Sequence, residues 1–288
     1  MQYINKLSEI SDQYQYYIFD IWGVVHDGNE AYEGAVKVIK ELKSQNKRIC
    51  FLSNAPRRAS KVAKVLEKFG VTPDLYDFAM SSGEATYLHL EENQKNNYAV
   101  YGQKYFYIGP EKDLDLLDGL DYQITDDATD ADFALATGFD NDSSTIEEKL
   151  PQLNAAIKSN LKMICVNPDL IVVRQNGTQM LCAGELAKKY KELGGEVTFF
   201  GKPHKAAYTA TISLFGEDID KTKMLAIGDS LETDIKGAND FGFDNLLLSG
   251  GILSNQVDNG LDSSQLQVKI AKICDSYKTY PSYLTKFL

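Results

Sequence analysis

The sequence predicts an α/β fold: a doubly wound parallel sheet that carries an inserted, smaller α/β unit. Short apolar runs of strand length alternate with stretches whose apolar residues recur at helical spacing. This alternation is typical of right-handed βαβ units in a parallel sheet. The rhythm restarts with its own elements from about residue 83 to about residue 177. We therefore expect a core domain made of residues 1–82 and 178–288, and an inserted domain at 83–177.

Each predicted strand is a run of mostly apolar residues. The expected core strands are 16–20, 48–52, 76–80, 197–200, 223–227 and 245–249. The expected strands of the insertion are 105–109, 132–138 and 162–166. Helical spacing predicts helices near 35–42, 62–69, 150–160 and 186–193. The second of these should end at Gly70, because glycine is favoured just after a helix.

Composition excludes some classes of partner. Acidic residues outnumber basic ones by 41 to 30, and the formal net charge is −11. Such a field repels a nucleic-acid backbone, although one local site can still bind a small phosphorylated ligand. No apolar run reaches the roughly 18 residues that a membrane span needs. Four scattered cysteines and a polar start predict a cytoplasmic protein with reduced thiols.

Polar side chains follow four of the predicted core strands. Ligands of open parallel sheets bind beyond the carboxyl ends of the strands, so these residues are the candidates for a site. The set comprises Asp20, Ser53 with Asn54, Lys202, and Asp229 with Asp234 a turn later. Each one alone is more simply explained as a turn former, a helix cap or a solvated charge. Together they indicate a site for a divalent cation and a phosphate.

The chemistry of this set is coherent. Two carboxylates and a backbone carbonyl suit Mg²⁺, which prefers oxygen ligands and keeps several waters. A hydroxyl and an ammonium group can bind phosphoryl oxygens. A carboxylate nucleophile can then divide hydrolysis into two steps through an aspartyl-phosphate.

These segments resemble the four motifs of the haloacid dehalogenase superfamily. The stretches DIWGVVHDG and NPD (167–169) resemble its NagD-like subgroup, class IIA. The resemblance implies a Rossmann-like core, an α/β cap formed by the insertion, and a Mg²⁺-dependent phosphatase of a small phosphorylated metabolite. It implies Asp20 as nucleophile and metal ligand, with the Trp22 carbonyl and Asp229 on the metal. Ser53, Asn54 and Lys202 would bind substrate, and Asp234 would order the water shell of the metal. Similar proteins commonly form cap-to-cap homodimers.

The sequence departs from the superfamily pattern at Trp22. Phosphatases of the superfamily usually carry there the aspartic acid that protonates the leaving oxygen, and an indole N–H cannot supply that proton. General acid catalysis is worth about 10²–10⁴ in rate. Three alternatives stay open: a slow or leaving-group-selective phosphatase, a proton from His26 or a cap residue, or a binding protein that keeps the metal site without turnover. The sequence does not name the substrate.

Overall fold

The computed structural model describes residues 1–32, 34–174, 176–216, 218–257 and 260–288. The strands are β1 Gln2–Tyr3, β2 Tyr16–Phe19, β3 Arg48–Ser53, β4 Phe78–Ser81, β5 Lys104–Ile108, β6 Gln123–Thr125, β7 Phe133–Ala136, β8 Lys162–Cys165, β9 Ile171–Val173, β10 Gln179–Leu181, β11 Val197–Phe199, β12 Met224–Gly228, β13 Asp244–Leu248 and β14 Tyr283–Thr285. The helices are α1 Ala35–Ser44, α2 Ala59–Lys68, α3 Ser82–Lys95, α4 Ile146–Lys158, α5 Ala183–Glu192, α6 Lys205–Phe215, α7 Lys236–Phe241 and α8 Ser263–Tyr277.

The strands of the described residues form two parallel sheets and one antiparallel hairpin. The core sheet has the strand order β1-β14-β13-β12-β2-β3-β4, and the cap sheet has the order β11-β8-β7-β5-β6. The cap hairpin pairs β9 with β10. From β2 the core chain winds outward to β3 and β4, and later returns on the other side of β2 through β12 and β13. The order therefore reverses between β2 and β12, where a doubly wound sheet binds its ligands. The predicted fold class is confirmed.

Strand β2 forms because its residues are buried on both faces of the sheet. Tyr17 and Phe19 belong to one cluster of buried side chains, together with Phe51 of β3. Ile18 belongs to a second cluster on the opposite face, together with Cys50. Successive strand residues point to opposite faces, so helices that cover both faces require a continuous apolar run. This burial fixes the strand up to Phe19 and places Asp20 at its carboxyl end.

The division expected after residue 177 does not coincide with the division between the sheets. Strand β11 pairs with β8 of the cap sheet, so the cap continues to about Phe199. Its apolar run has the same pattern as a core strand, and only its pairing tells the two apart. The start expected at 83 falls at the beginning of α3. Leu90 of that helix shares a buried cluster with Cys50 of the core and Phe133 of the cap.

Two expectations from the sequence concern membrane-spanning segments and the state of the cysteines. No helix among the described residues is long and apolar enough to cross a bilayer. The four cysteines are buried and free of disulfide bonds. Burial raises the pKa of the Cys50 and Cys165 thiols, so these side chains behave as small apolar groups.

Candidate active site

Three aspartates meet at the point where the strand order reverses. Asp20 follows β2, Asp229 follows β12, and Asp234 lies in the π-helical turn Leu231–Ile235 that precedes α7. Each offers one carboxylate oxygen within 4.8 Å of the others. The Asp20 N–H donates to the Ile227 carbonyl at 2.8 Å, which joins the end of β2 to β12. The sheet thus brings together acids that are more than 200 positions apart in the chain.

Two glycines permit the close approach around Asp229. Gly23 has a φ of +82°, and a Cβ there would lie 1.9 Å from Asp229 Oδ2. At Gly251 a Cβ would lie 2.1 Å from the same oxygen. That oxygen accepts a hydrogen bond of 2.7 Å from the Ile252 N–H. The loop after β2 can therefore pack on Asp229 only with glycine at position 23.

Lys202 lies between two of the acids. Its Nζ is 2.5 Å from Asp20 Oδ1 and 2.7 Å from Asp234 Oδ1. Burial alone would lower the pKa of Lys202, but the negative charges of Asp20 and Asp234 outweigh it, so the pKa is raised. The ammonium group therefore stays charged at neutral pH. It can contact a phosphoryl oxygen that approaches Asp20.

The site has three carboxyl groups and one ammonium group, and the pKa values of Asp20 and Asp229 are raised. Burial, then the neighbouring Asp234, raises the pKa of Asp20 to about 7, although Lys202 opposes this. Burial and the charges of Asp20 and Asp234 raise the pKa of Asp229 well above its usual range. When all three carboxyl groups are ionised, one ammonium partner leaves the cluster with a net negative charge, and this repulsion contributes to the raised pKa values. Such an arrangement of oxygen ligands can hold a divalent cation.

Ser53 is the last residue of β3 and Asn54 follows it, at the same edge of the sheet. The Ser53 hydroxyl accepts a hydrogen bond of 3.2 Å from the Ala55 N–H. Asn54 is engaged within the protein: its Oδ1 accepts from the Lys202 N–H at 2.7 Å, and its Nδ2 donates to the Lys202 carbonyl at 3.2 Å and to Asp169 Oδ1 at 2.8 Å. These contacts show that Asn54 holds the backbone of Lys202 in position.

Trp22 reaches from the core to the cap. Its indole N–H donates to the Val173 carbonyl of β9 at 2.9 Å. Its ring lies over Gly28, where a Cβ would come within 2.6 Å of it. An edge-to-face contact with His26 at 5.8 Å between centroids supports the ring from the core side. The side chain at position 22 thus fastens the cap hairpin to the loop that follows the nucleophile strand.

The structure argues against His26 as the replacement acid. Its ring stacks on Phe69 at 4.3 Å and is almost fully buried. Nδ1 accepts the Gly28 N–H at 2.8 Å. Burial lowers the pKa of His26 to about 4, with a smaller opposing effect of Asp27. A neutral imidazole packed in this way is too weak an acid to protonate a leaving oxygen at neutral pH.

The candidate residues line a cavity of about 240 Å³ between the core and the cap. Asp20, Ser53, Lys202 and Asp229 lie at its core side. Its cap side has both apolar and polar residues: the apolar ones include Phe139, Ile171, Val172, Val173, Met180 and Leu181, and the polar ones are Lys112, Asp113, Thr137, Asn141, Asp142, Asn167 and Asp169. The volume suits a small ligand.

Sequence reasoning assigned no role to some of the residues that line this cavity. Asp169 belongs to the NPD stretch, which served only to indicate the subgroup. Arg57 and Asp113 form a 2.8 Å ion pair beside the cavity. The stretch SNAPR contains Arg57, but a single sequence does not show that its ion-pair partner Asp113 lies 56 positions later.

Comparisons with known proteins agree with this geometry. The model of the haloacid dehalogenase-like hydrolase family matches residues 17–123, and a second, HAD-hydrolase-like model matches 199–278. A solved haloacid dehalogenase-like hydrolase from Brucella suis 1330 is 30% identical, with 99% of both chains covered and a TM-score of 0.82. The chain belongs to the haloacid dehalogenase-like hydrolase family. The predicted membership, including the NagD-like class IIA arrangement, is confirmed.

Curated members of the family with different substrates align along most of the chain. The 5'-nucleotidase YutF of Bacillus subtilis is 26% identical over 244 residues, which cover 84% of this chain and 90% of YutF. An acid sugar phosphatase of Staphylococcus saprophyticus is 21% identical over 244 residues, 84% of this chain and 89% of the relative. The prediction of an enzyme of the phosphomonoester hydrolase class is confirmed at this level.

Proposed function

We propose that the chain is a Mg²⁺-dependent phosphatase that hydrolyses a small phosphorylated metabolite through an aspartyl-phosphate on Asp20. The observation that supports this most is the position of Asp20, in contact with Lys202 and beside two further carboxylates at the switch point of the sheet. The relatives named as nucleotidase and sugar phosphatase support phosphomonoester hydrolysis as the reaction class.

The acidic cluster supports Mg²⁺ as the cofactor. Asp20, Asp229 and the backbone carbonyl of Trp22 would hold the ion, and Asp234 would order its water shell. The fit rests on three carboxylate oxygens within 4.8 Å of one another, two of which, from Asp20 and Asp234, are paired with Lys202. When bound, the cation would screen the repulsion between the nucleophile and a phosphate dianion.

The remaining groups would act on the phosphoryl group itself. Lys202 and Ser53 would bind its oxygens, and Asp20 would attack phosphorus while the leaving oxygen departs. Water would then hydrolyse the aspartyl-phosphate and restore the Asp20 carboxylate. The contacts of Asn54 with the Lys202 backbone support a positioning role for Asn54 in place of the expected substrate contact.

Position 22 gives the leaving oxygen no proton in this proposal. The indole N–H is a hydrogen-bond donor without useful acidity, and it is already engaged with Val173. Where no other acid reaches the leaving oxygen, esters with basic leaving groups should be hydrolysed about 10²–10⁴ more slowly than the superfamily apparatus allows. The enzyme is then slow or selective for good leaving groups.

One assay tests the proposal against a binding protein without turnover. Purified protein with p-nitrophenyl phosphate should release nitrophenol in the presence of Mg²⁺, and EDTA should abolish the release. Asp20→Asn serves as the matched control, since it differs by one atom at the nucleophile. Protein that binds inorganic phosphate with Mg²⁺ but releases no nitrophenol would favour the non-catalytic alternative. The metabolite, the homodimer and the cytoplasmic location stay predictions.

A further inference from the structure

Among the described residues, one carboxyl group that lines the cavity belongs neither to the acidic cluster nor to an ion pair. The carboxyl groups among its lining residues belong to Asp20, Asp113, Asp142, Asp169 and Asp229. Asp113 is paired with Arg57 at 2.8 Å, and Asp142 is paired with Arg174 at 3.0 Å. Asp20 and Asp229 belong to the acidic cluster. Asp169 instead accepts a hydrogen bond from a neutral amide, at 2.8 Å from Asn54 Nδ2.

Short contacts connect Asp169 to the nucleophile. Asn54 binds the Asp169 carboxylate through Nδ2 and the Lys202 N–H, at 2.7 Å, through Oδ1. The Nζ of Lys202 is in turn 2.5 Å from Asp20. One amide side chain therefore separates Asp169 from the residue that contacts the nucleophile. Both carboxyl groups line the same cavity, Asp169 from the cap segment and Asp20 from the core.

The backbone around Asp169 is fixed by close packing. The Asp169 N–H donates to Asn167 Oδ1 at 3.0 Å, and its carbonyl accepts from the Gly184 N–H at 3.0 Å. A Cβ at Gly184 would lie 2.4 Å from that carbonyl, and one at Gly201 would lie 2.8 Å from the Pro168 ring. The segment is thus held against the loop that leads to Lys202. A reacting group needs such a defined position.

We propose that Asp169 is the proton donor to the leaving oxygen, the role that Trp22 cannot fill. This inference rests on the proposed phosphatase function. Asp20 forms a bond to phosphorus as the bond to the leaving oxygen breaks, and the electron pair stays on that oxygen, which takes the proton of Asp169. The resulting Asp169 carboxylate then takes a proton from the water that attacks the aspartyl-phosphate. The bond between phosphorus and Asp20 breaks, phosphate is released, and both carboxyl groups return to their initial states.

The electrostatic surroundings suit this exchange. Burial raises the pKa of Asp169 to about 6, against the opposing effects of the Lys202 charge and the Asn54 hydrogen bond. The charges of Asp234 and Glu232 raise it further, and the neighbouring thiol of Cys182 is held neutral by burial. A group that titrates near neutrality can give a proton in one step and accept one in the next.

The test compares two leaving groups in the variant Asp169→Asn. The new amide oxygen still accepts from Asn54, so the substitution removes the proton and keeps the contact. Release of the alcohol is measured in single turnovers with Mg²⁺, from benzyl phosphate and from p-nitrophenyl phosphate. We expect a loss of about 10²–10⁴ with benzyl phosphate, whose leaving oxygen is strongly basic, and less than about tenfold with p-nitrophenyl phosphate. Asp130→Asn, an exposed cap aspartate paired with Lys104, is the control and should leave both rates unchanged.

A pH profile adds a readout that a purely structural residue would not change. For the wild type with benzyl phosphate at saturating Mg²⁺, which would keep Asp20 ionised, kcat/KM should fall as the pH rises through about 6, where Asp169 loses its proton. The variant should lose this falling limb. An equal loss with both substrates, no loss with either, or a limb that persists in the variant would overturn the assignment. A wild type inactive towards both substrates with Mg²⁺ would instead refute the proposed function, and this assignment with it.

Discussion

Replacing Trp22 with phenylalanine should loosen the cap hairpin from the core. The substitution removes the N–H that donates to the Val173 carbonyl at 2.9 Å. It keeps an aromatic ring at the place where the indole packs on Gly28 and meets the edge of His26. The change therefore isolates one hydrogen bond between two parts of the protein that lie 151 positions apart.

The expected size follows from that single bond. A typical hydrogen bond contributes about 0.5–1.5 kcal/mol net, which corresponds to roughly a 2- to 13-fold change in the equilibrium between docked and undocked hairpin. Val173 is buried, at 8% exposure. If water does not reach its carbonyl, this buried acceptor is left without a hydrogen bond. The loss of docking free energy then rises towards about 3 kcal/mol, which changes the docking equilibrium more than a hundredfold.

Native-state hydrogen exchange measures this directly. Amides of β9 and β10 should exchange faster in Trp22→Phe by that factor, while those of β12 in the core should keep their wild-type rates. Tyr190→Phe is the matched control, because it removes a 2.7 Å hydrogen bond to the Leu161 carbonyl that lies wholly within the cap. Unchanged exchange in the hairpin, or an equal acceleration in the control, would refute the idea that Trp22 fastens the cap.

Four further predictions concern the core side of the site. Asp20→Asn should abolish nitrophenol release with little change in melting temperature, measured by assay and thermal unfolding; a rate near that of the wild type would exclude Asp20 as nucleophile. Mg²⁺ affinity, measured by calorimetry, should rise between pH 5 and pH 7, because burial raises the pKa of Asp20 to about 7 and the ion competes with that proton. By the same linkage, stability without metal should fall as the pH rises from 4 to 7, since unfolded Asp20 has already lost its proton and folded Asp20 has not. Asp229→Ala should raise the Mg²⁺ concentration needed for half-maximal rate, and an unchanged requirement would place the ion elsewhere.

Elements with a strong local pattern could be predicted from the sequence. The central strands β2, β3 and β12 are continuous apolar runs because both of their faces are covered, and the sequence shows such runs clearly. Two of the four edge strands of the described parallel sheets, β1 and β6, escaped prediction, whereas the edge strands β4 and β11 overlap predicted ones. β1 has two residues, and two of the three residues of β6 are exposed, so neither carries a burial pattern. The end of the cap could not be predicted for another reason: tertiary contact alone decides which strand pairs with β11.

The candidate site likewise has residues that the sequence identifies and contacts that it does not reveal. Asp20, Ser53 and Asp229 could be found because parallel core strands bring their carboxyl ends to one edge. Lys202 is expected after a core strand, but it follows β11 of the cap sheet and lines the same cavity from there. The engagement of Asn54 with Lys202 and Asp169 could not be found, because it joins residues 148 and 115 positions away. A single sequence contains no signal for such pairs.

Trp22 has a physical reason to stand where an acid is expected. An aspartate there would place a fourth carboxyl group near Asp20 and Asp229, whose pKa values are already raised by burial and mutual repulsion. The indole adds no charge, and it binds β9 only four residues beyond Asp169. In the proposed mechanism the proton donor and the anchor of Trp22 therefore belong to one short segment of the cap. Undocking that segment would move the proton donor away from the leaving oxygen. Esters with basic leaving groups would therefore be hydrolysed only while the hairpin is docked. Trp22→Phe should then slow benzyl phosphate more than p-nitrophenyl phosphate, although Trp22 itself supplies no proton.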